Sequence, residues 1–220
     1  MVGEGRKRGI LTILEAKTLF GEANIAKQWK GNIPLYTINL IGASAGLRIG
    51  EIQGLQVKYV RLDDSIPHIE VRQSWHGKHG LGMPKTAGSV RDVPLPALTI
   101  KYLRLAIDGK AADDFVFPGD RDHHLHGTQH EQIPIDAKWV NRAFFTAMEL
   151  AGIENYRERY ITFHSHRHYY VSIMRGKLPE HLLRALTGHA SIEMTNRYTH
   201  TALSDVALAA QIQDAILAVQ

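Results

Sequence analysis

The stretch from His164 to His200, HSHRHYYVSIMRGKLPEHLLRALTGHASIEMTNRYTH, gathers side chains that could do chemistry together. His164 and Arg167 stand three residues apart, His189 follows in a Gly-His turn, and Tyr198 lies nine residues beyond it. With one helix closing over Ile173 to Leu178 and another opening from Ser191 to Tyr198, the four groups can converge on one concave surface. A guanidinium takes phosphate oxygens in a planar fork. Imidazoles move or donate protons, and a phenol can form a covalent phosphoester. The set suits phosphoryl transfer.

The rest of the chain must position these groups. Thr12 and Glu15 form a T-x-x-E capping box that opens a first helix. Ahead of it, Arg6-Lys7-Arg8 is either a solvated tail or a linker lying on a DNA backbone. Ile33 to Ala45 is largely apolar and reads as a buried helix ended by Gly46. Arg48 follows just past that break, where a rigid element can point it into a cleft, with Glu51 placed to orient it. From Gln56 to Pro94 the hydrophobic period drops to two, in VKYVRL, HIEVRQSW and SVRDVPL. This predicts a three-stranded antiparallel sheet with Lys85 at the tip of its second hairpin.

Leu98 to Ile107 reads as an amphipathic helix and Asp113 to Pro118 as a short extended segment. The polar stretch from Gly119 to Pro134 carries His123, His124, His126 and His130, without the spacing of a zinc module. It reads as a solvated insertion. Asp136 to Ala151 predicts a helix with Trp139, Phe144, Phe145, Met148 and Leu150 as core. His164 opens the helix carrying Arg167. The alternation of His164, His166 and His168 would share one face on a strand, but the helical apolar pattern at Tyr170, Val171 and Met174 splays them. Gly176 and Pro179 mark a helix stop and restart, with a helix over Pro179 to Ala185. Ser191 caps a short helix that delivers Tyr198. Leu203 to Gln220 reads as a final amphipathic helix, apolar at Val206, Ala209, Ile212, Ile216 and Val219, with only Asp205 and Asp214 as charges. It should be buried.

Composition narrows the classes. With 220 residues and 44% hydrophobic content, the chain can bury a sizeable core. Without cysteine it can form neither a disulfide framework nor a thiolate metal site. No apolar run approaches membrane-spanning length, and the start lacks the apolar segment of a signal peptide. A formal charge of +4 permits nucleic-acid binding without demanding it.

Taken together, G-L-R-x-x-E at Gly46, K-T then R-x-V-P-L from Lys85, H-x-x-R-H at His164, G-H at Gly188 and R-Y-T-H at Arg197 resemble the active-site pattern of the tyrosine recombinases, or phage integrases. The resemblance runs from Leu11 to His200. It implies an α+β fold, a mostly α-helical catalytic domain with a small three-stranded antiparallel sheet. It also implies a site-specific enzyme that cleaves and rejoins DNA through a 3′-phosphotyrosine, with neither metal nor cofactor. Tyr198 would be the nucleophile, and Arg48, Arg167 and His189 the clamp on the scissile phosphate. Lys85 would protonate the leaving 5′-oxygen, and His164 would assist proton movement. The implied partners are double-stranded DNA and other protomers in a tetrameric synapse, in the cytoplasm with the nucleoid. Residues 1–220 read as the catalytic domain alone, lacking the N-terminal core-binding domain usual in the family. The tail from 203 to 220 would dock on a neighbouring protomer or on its own domain.

Some positions depart from the family pattern. Ser165 stands where an acid or glycine is frequent, His166 where an apolar residue is usual, and Thr187 where leucine usually precedes Gly-His; His168 matches a histidine that is usually structural. Three other readings compete. A type IB topoisomerase-like nicking-closing enzyme shares the chemistry but not synapsis. A non-catalytic DNA-binding regulator would not need all six catalytic residue types. A histidine-metal hydrolase lacks a consistent ligand spacing with a carboxylate.

Overall fold

The computed structural model describes residues 9–84, 89–119, 133–188 and 203–217. The capping box holds at the start of α1 (Ile13–Phe20), where Thr12 Oγ1 accepts from the Glu15 amide and Glu15 Oε2 accepts from the Thr12 amide. A one-turn α2 (Ile25–Gln28) leads to the central helix α3 (Ile33–Ala45). Asn32 caps α3 by accepting from the Leu35 amide at 3.0 Å, and Pro34 sits in the first turn, where its missing N–H costs nothing. Every α3 residue from Leu35 to Ala45 is buried. Such a helix must be covered all round. On one side Ile38, Ile41 and Ala45 join Ile69, Val93, Val116 and Met174. On the other, Tyr36, Leu40 and Ala43 join Phe20, Trp29, Phe144, Met148 and Tyr169.

The short α4 (Ile49–Gln53) leads into the sheet of β1 (Val60–Arg61) and β2 (His68–Val71). HIEVRQSW does not run on as one strand. After β2 the chain forms a separate ribbon, β3 (Ser74–Trp75) against β4 (Leu81–Gly82), before β5 (Arg91–Pro94) returns to pair with β2. Gly77 and Gly80, both at positive φ, make the tight connection that turns the ribbon. The main sheet is antiparallel in the order β1-β2-β5, with Ile69 opposite both Val60 and Val93. The predicted three strands are present, and the ribbon is the addition.

Helix α5 (Ala97–Ile107) follows, then α6 (Ala137–Leu150), α7 (His164–Met174) and α8 (Glu180–Thr187). On α6 the inward stripe is Val140, Phe144, Ala147 and Met148. Trp139 and Leu150 fall off this stripe and are 47% and 38% exposed, so they are not the core residues the sequence predicts. The tail is two helices, Leu203–Val206 and Leu208–Leu217, rather than one. Val206, Ala209 and Ile216 are buried as expected, Val219 lies outside the described residues, and the tail packs on its own chain. Asp214 Oδ1 accepts from the Ala97 amide at 2.7 Å, tying the tail to the first turn of α5.

Four glycines spaced by four residues set the approach of the site-bearing elements. A Cβ on Gly42 would lie 2.8 Å from the Phe163 ring and 3.1 Å from His166, and one on Gly46 would lie 2.7 Å from the Tyr170 ring. These two bring α7 against α3. On α4, a Cβ on Gly50 would meet Ser74 Oγ and the Trp75 carbonyl at 2.8 Å, and one on Gly54 the Ser74 backbone at 3.0 Å. Those two bring the ribbon onto α4.

Gly46 carries a double constraint, since its φ of +67° closes α3 in the left-handed region. Gly46→Ala should cost about 2–4 kcal/mol, combining backbone strain with overpacking. Gly176, at φ +79° with open space around it, should lose only the backbone part, about 1 kcal/mol, when replaced by alanine. Urea unfolding of both variants measures the difference, and equal losses would remove the Tyr170 contact from the account.

Candidate active site at the end of the central helix

The left-handed turn at Gly46 delivers Leu47 to the core and Arg48 to the start of α4. Arg48 has extended backbone, and its side chain is 36% exposed. Glu51, one turn on and buried, accepts from the Arg48 amide at 2.9 Å and from Arg48 Nη1 at 2.8 Å. The pairing expected between these two residues is therefore present. A third member was not anticipated. Arg91, on β5, grips the other side of the same carboxylate, with Nη1 to Oε1 at 3.0 Å and Nη2 to Oε2 at 2.9 Å. Burial alone would raise the Glu51 pKa, but the Arg91 charge and hydrogen bonds, helped by Arg48, bring it down to about 2.

The sequence held a signal for Arg91. In a strand of period two, Arg91 is in phase with Val93 and Leu95, which are both buried. A charge in phase with core residues on a strand must find a buried partner.

Arg167 approaches the same place from α7. It is buried, and its Nη1 donates to the Gly46 carbonyl at 2.9 Å, filling one of the acceptors left free where α3 ends. Its Nε and Nη2 are buried with no hydrogen-bond partner among the described residues. Burial, then repulsion from Arg48 and Arg91, pushes its pKa down to about 9. It remains charged at neutral pH. Two guanidinium groups thus hold one carboxylate, and a third, close enough to feel their charge, has a donor edge without a partner among the described residues. That is an anion receptor.

The start of α7 is held by α6, where Asn141 Oδ1 accepts from the Phe163 amide at 2.9 Å. His164 and His168 lie on the exposed side of α7, one turn apart, their rings meeting edge to face at 4.9 Å. His166 points the opposite way, so the alternation splays as a helix requires. It is fully buried among Phe20, Phe144 and Phe163, and its Nε2 bonds Asn39 Oδ1 at 3.0 Å. Burial lowers its pKa to about 3, so it stays neutral and can donate that bond. The other polar departures are satisfied by nearby backbone groups. Ser165 Oγ accepts from the Thr162 amide, and Thr187 Oγ1 donates to the Leu183 carbonyl.

Lys85, His189 and Tyr198 lie outside the described residues, as do the histidines from His123 to His130 and the basic trio Arg6 to Arg8. The described chain leads to two of them. The ribbon seated on α4 ends at Gly82, three residues before Lys85, and α8 ends in the left-handed Gly188 that immediately precedes His189. Among the described residues no cluster of three histidine or acidic side chains could hold a metal, and no helix is long and apolar enough to cross a membrane.

A mostly helical body with a small antiparallel sheet is the architecture of tyrosine recombinase catalytic domains. Residues 11–204 match the phage integrase family, and the chain belongs to it. It is similar to a XerC-like tyrosine recombinase of Caldanaerobacter subterraneus subsp. tengcongensis, 26% identical over 182 residues that cover 76% of this chain and 45% of the relative. Among solved structures, XerA recombinase matches with a TM-score of 0.58 and 23% identity, over 92% of this chain and 63% of that one. The Tn1549 transposon integrase, solved in complex with transposon right end DNA, matches with a TM-score of 0.62 and 20% identity, over 95% and 67%. The chain therefore spans less than half of its XerC-like relative. At these identities the structural likeness establishes the fold.

The unpaired edge of Arg167 has a stability consequence. Arg167→Met should raise the melting temperature in buffer free of polyvalent anions. Relief of a buried, repelled charge outweighs one charge-assisted hydrogen bond of about 1.5–3 kcal/mol. Added sulfate should then stabilise the parent chain more than the variant. Thermal melts with and without sulfate measure both effects; a variant less stable than the parent in anion-free buffer would mean that Arg167 is compensated inside the protein.

Proposed function

We propose that this chain is the catalytic part of a site-specific DNA recombinase that cleaves and rejoins strands through a 3′-phosphotyrosine at Tyr198. The observation that carries the reading is the cluster of positive charge where α3 ends, with Arg48 and Arg167 close enough to repel and two Arg167 donors without a partner among the described residues. A phosphodiester is a single negative charge with two non-bridging oxygens, which suits a site with surplus guanidinium donors.

In the proposed reaction the Tyr198 oxygen attacks the scissile phosphorus and the bond to the 5′-oxygen breaks. A phenol with a pKa of about 10 is mostly protonated at neutral pH, so its proton must be accepted nearby, a task that suits His164. Arg48, Arg167 and His189 neutralise charge gathering on the non-bridging oxygens, stabilisation that is in place before the reaction begins. Lys85 protonates the departing 5′-oxygen. The phosphotyrosine keeps the phosphodiester energy, so attack by another 5′-hydroxyl reverses the sequence on a new strand without a high-energy cofactor. The partners are double-stranded DNA, held largely through phosphate contacts, and further protomers in a tetrameric synapse.

Incubation with a nicked suicide duplex in the presence of a chelator should leave a denaturant-stable protein–DNA adduct. Peptide mapping should place it on Tyr198, and Tyr198→Phe should form none. Attachment at another residue, or a requirement for metal, would overturn the mechanism.

Lys85 and the arginines should respond differently to the leaving group. Replacing the bridging 5′-oxygen with sulfur creates a thiolate that leaves without a proton. Lys85→Ala should be slower on ordinary DNA by roughly two or more orders of magnitude, and nearly restored on the sulfur substrate. Arg48→Ala and Arg167→Ala should gain little from sulfur, because they act on the non-bridging oxygens. Time courses on both substrates decide this, and equal rescue of all three would make Lys85 another phosphate clamp.

A further inference from the structure

Arg91 and Arg167 are both buried near Glu51, yet their donors are spent differently. Arg91 Nε donates to the Leu186 carbonyl at 2.6 Å, and Nη1 donates to the Ser89 carbonyl at 2.9 Å as well as to Glu51. With Nη2 also on Glu51, each of its nitrogens is engaged inside the protein. Four of its five N–H groups are spent, and the one remaining on Nη2 is too few for a two-pronged grip on a phosphate. Its contacts instead join three parts of the site: β5, which follows Lys85 in the chain; Glu51 beside Arg48; and Leu186 near the end of α8, two residues before Gly188.

The Glu51 carboxylate shows what this linkage does. Oε1 receives Arg91 Nη1 and Arg48 Nη1, while Oε2 receives Arg91 Nη2 and the Arg48 amide. Two bonds fall on each oxygen, so the carboxylate has no freedom to rotate. Because Arg91 occupies one side of both oxygens, Arg48 makes a single side-chain bond among the described residues, leaving the rest of its fork to other partners. Without Arg91, Glu51 could swing to take Arg48 in a two-pronged pair, the geometry that arginine and carboxylate prefer. That would neutralise Arg48 and turn it from the cleft.

We propose that Arg91 is a positioning residue for strand cleavage, holding Glu51 so that Arg48 keeps its free edge toward the phosphate while tying the end of α8 to the same carboxylate. The inference rests on the reading of Arg48 as a phosphate clamp. Lysine cannot replace Arg91, because one ammonium cannot span both carboxylate oxygens and the Leu186 carbonyl in the same plane.

The test uses the full chain and a suicide duplex, measuring the single-turnover rate of Tyr198 adduct formation at saturating DNA, the Kd for DNA, and the melting temperature. Arg91→Lys should fold and bind DNA within about two-fold of the parent, yet form adduct about ten- to a hundred-fold more slowly. In an Arg48→Ala background the same change should slow the reaction by less than about two-fold, since its target is already gone. A purely structural role predicts the same loss in both backgrounds and would overturn the proposal, as would parental rates in Arg91→Lys. Should Arg91→Lys fail to fold, Glu51→Gln decides the matter, because Arg91 keeps Leu186 and Ser89 there. Slowed cleavage by a folded Glu51→Gln supports the positioning role, and parental cleavage overturns it. Unfolding of both variants would assign the pair to folding alone. A parent chain that forms no adduct, or an Arg48→Ala chain as fast as the parent, overturns the recombinase reading itself and is distinguishable from each of these outcomes.

Discussion

Among the described residues the Glu51 carboxylate is the negative charge set beside three buried or half-buried guanidinium groups, and the site depends on how it is shared. A lone carboxylate at this depth would take up a proton rather than remain ionised. Arg91 and Arg48 together keep it charged, and it in turn keeps them oriented. Arg167 stands outside this exchange, bonded to the Gly46 carbonyl and repelled by its two neighbours. Three cations and one anion leave a local surplus of positive charge in a partly dry place. Proteins rarely leave such a surplus uncompensated unless an anion is to supply the balance.

This arrangement requires close backbone approach, and glycine provides it. Gly42 and Gly46 admit α7 to α3, and Gly50 and Gly54 admit the ribbon to α4. A side chain at any of the four would push away an element that carries or leads to a proposed catalytic residue. The same helix supplies rigidity, since α3 is buried between two clusters of apolar side chains and has no freedom to shift. Within that packing His166 takes the place of a hydrophobic residue. Its ring lies among three phenylalanines, with Nε2 bonded to Asn39 and Nδ1 buried without a partner among the described residues. A residue type associated with catalysis is here a core residue, and its neighbour Arg167 is the one available for chemistry.

The histidine alternation, the glutamate trio and the tail show where residue patterns reach their limit. Helical geometry alone separates His164 and His168 from His166, so that outcome was legible. Arg91 was legible in principle, from its phase on a buried strand, although its partner was not. Trp139 was misplaced because an aromatic residue in a helix reads as core until the inward stripe is drawn through Val140, Phe144 and Met148. The tail's apolar residues were read correctly as buried, while the break between its two helices and the tie from Asp214 to Ala97 depend on how it meets α5.

By itself the sequence determined the central helix and its glycine stop, the capping box at Thr12, the three-stranded antiparallel sheet, and the family through its ordered short motifs. These are local or periodic properties, written in residues a few positions apart, where backbone geometry and hydrophobic phase leave few choices. Only the tertiary structure decided that Glu51 is shared between Arg48 and Arg91, forty residues apart in the chain. It also decided that Arg167 spends one donor on Gly46 and leaves two without a partner among the described residues, and that the ribbon rests on Gly50 and Gly54. Those outcomes turn on which buried charge finds which partner across the fold, and nothing in the local pattern around either residue encodes that distance.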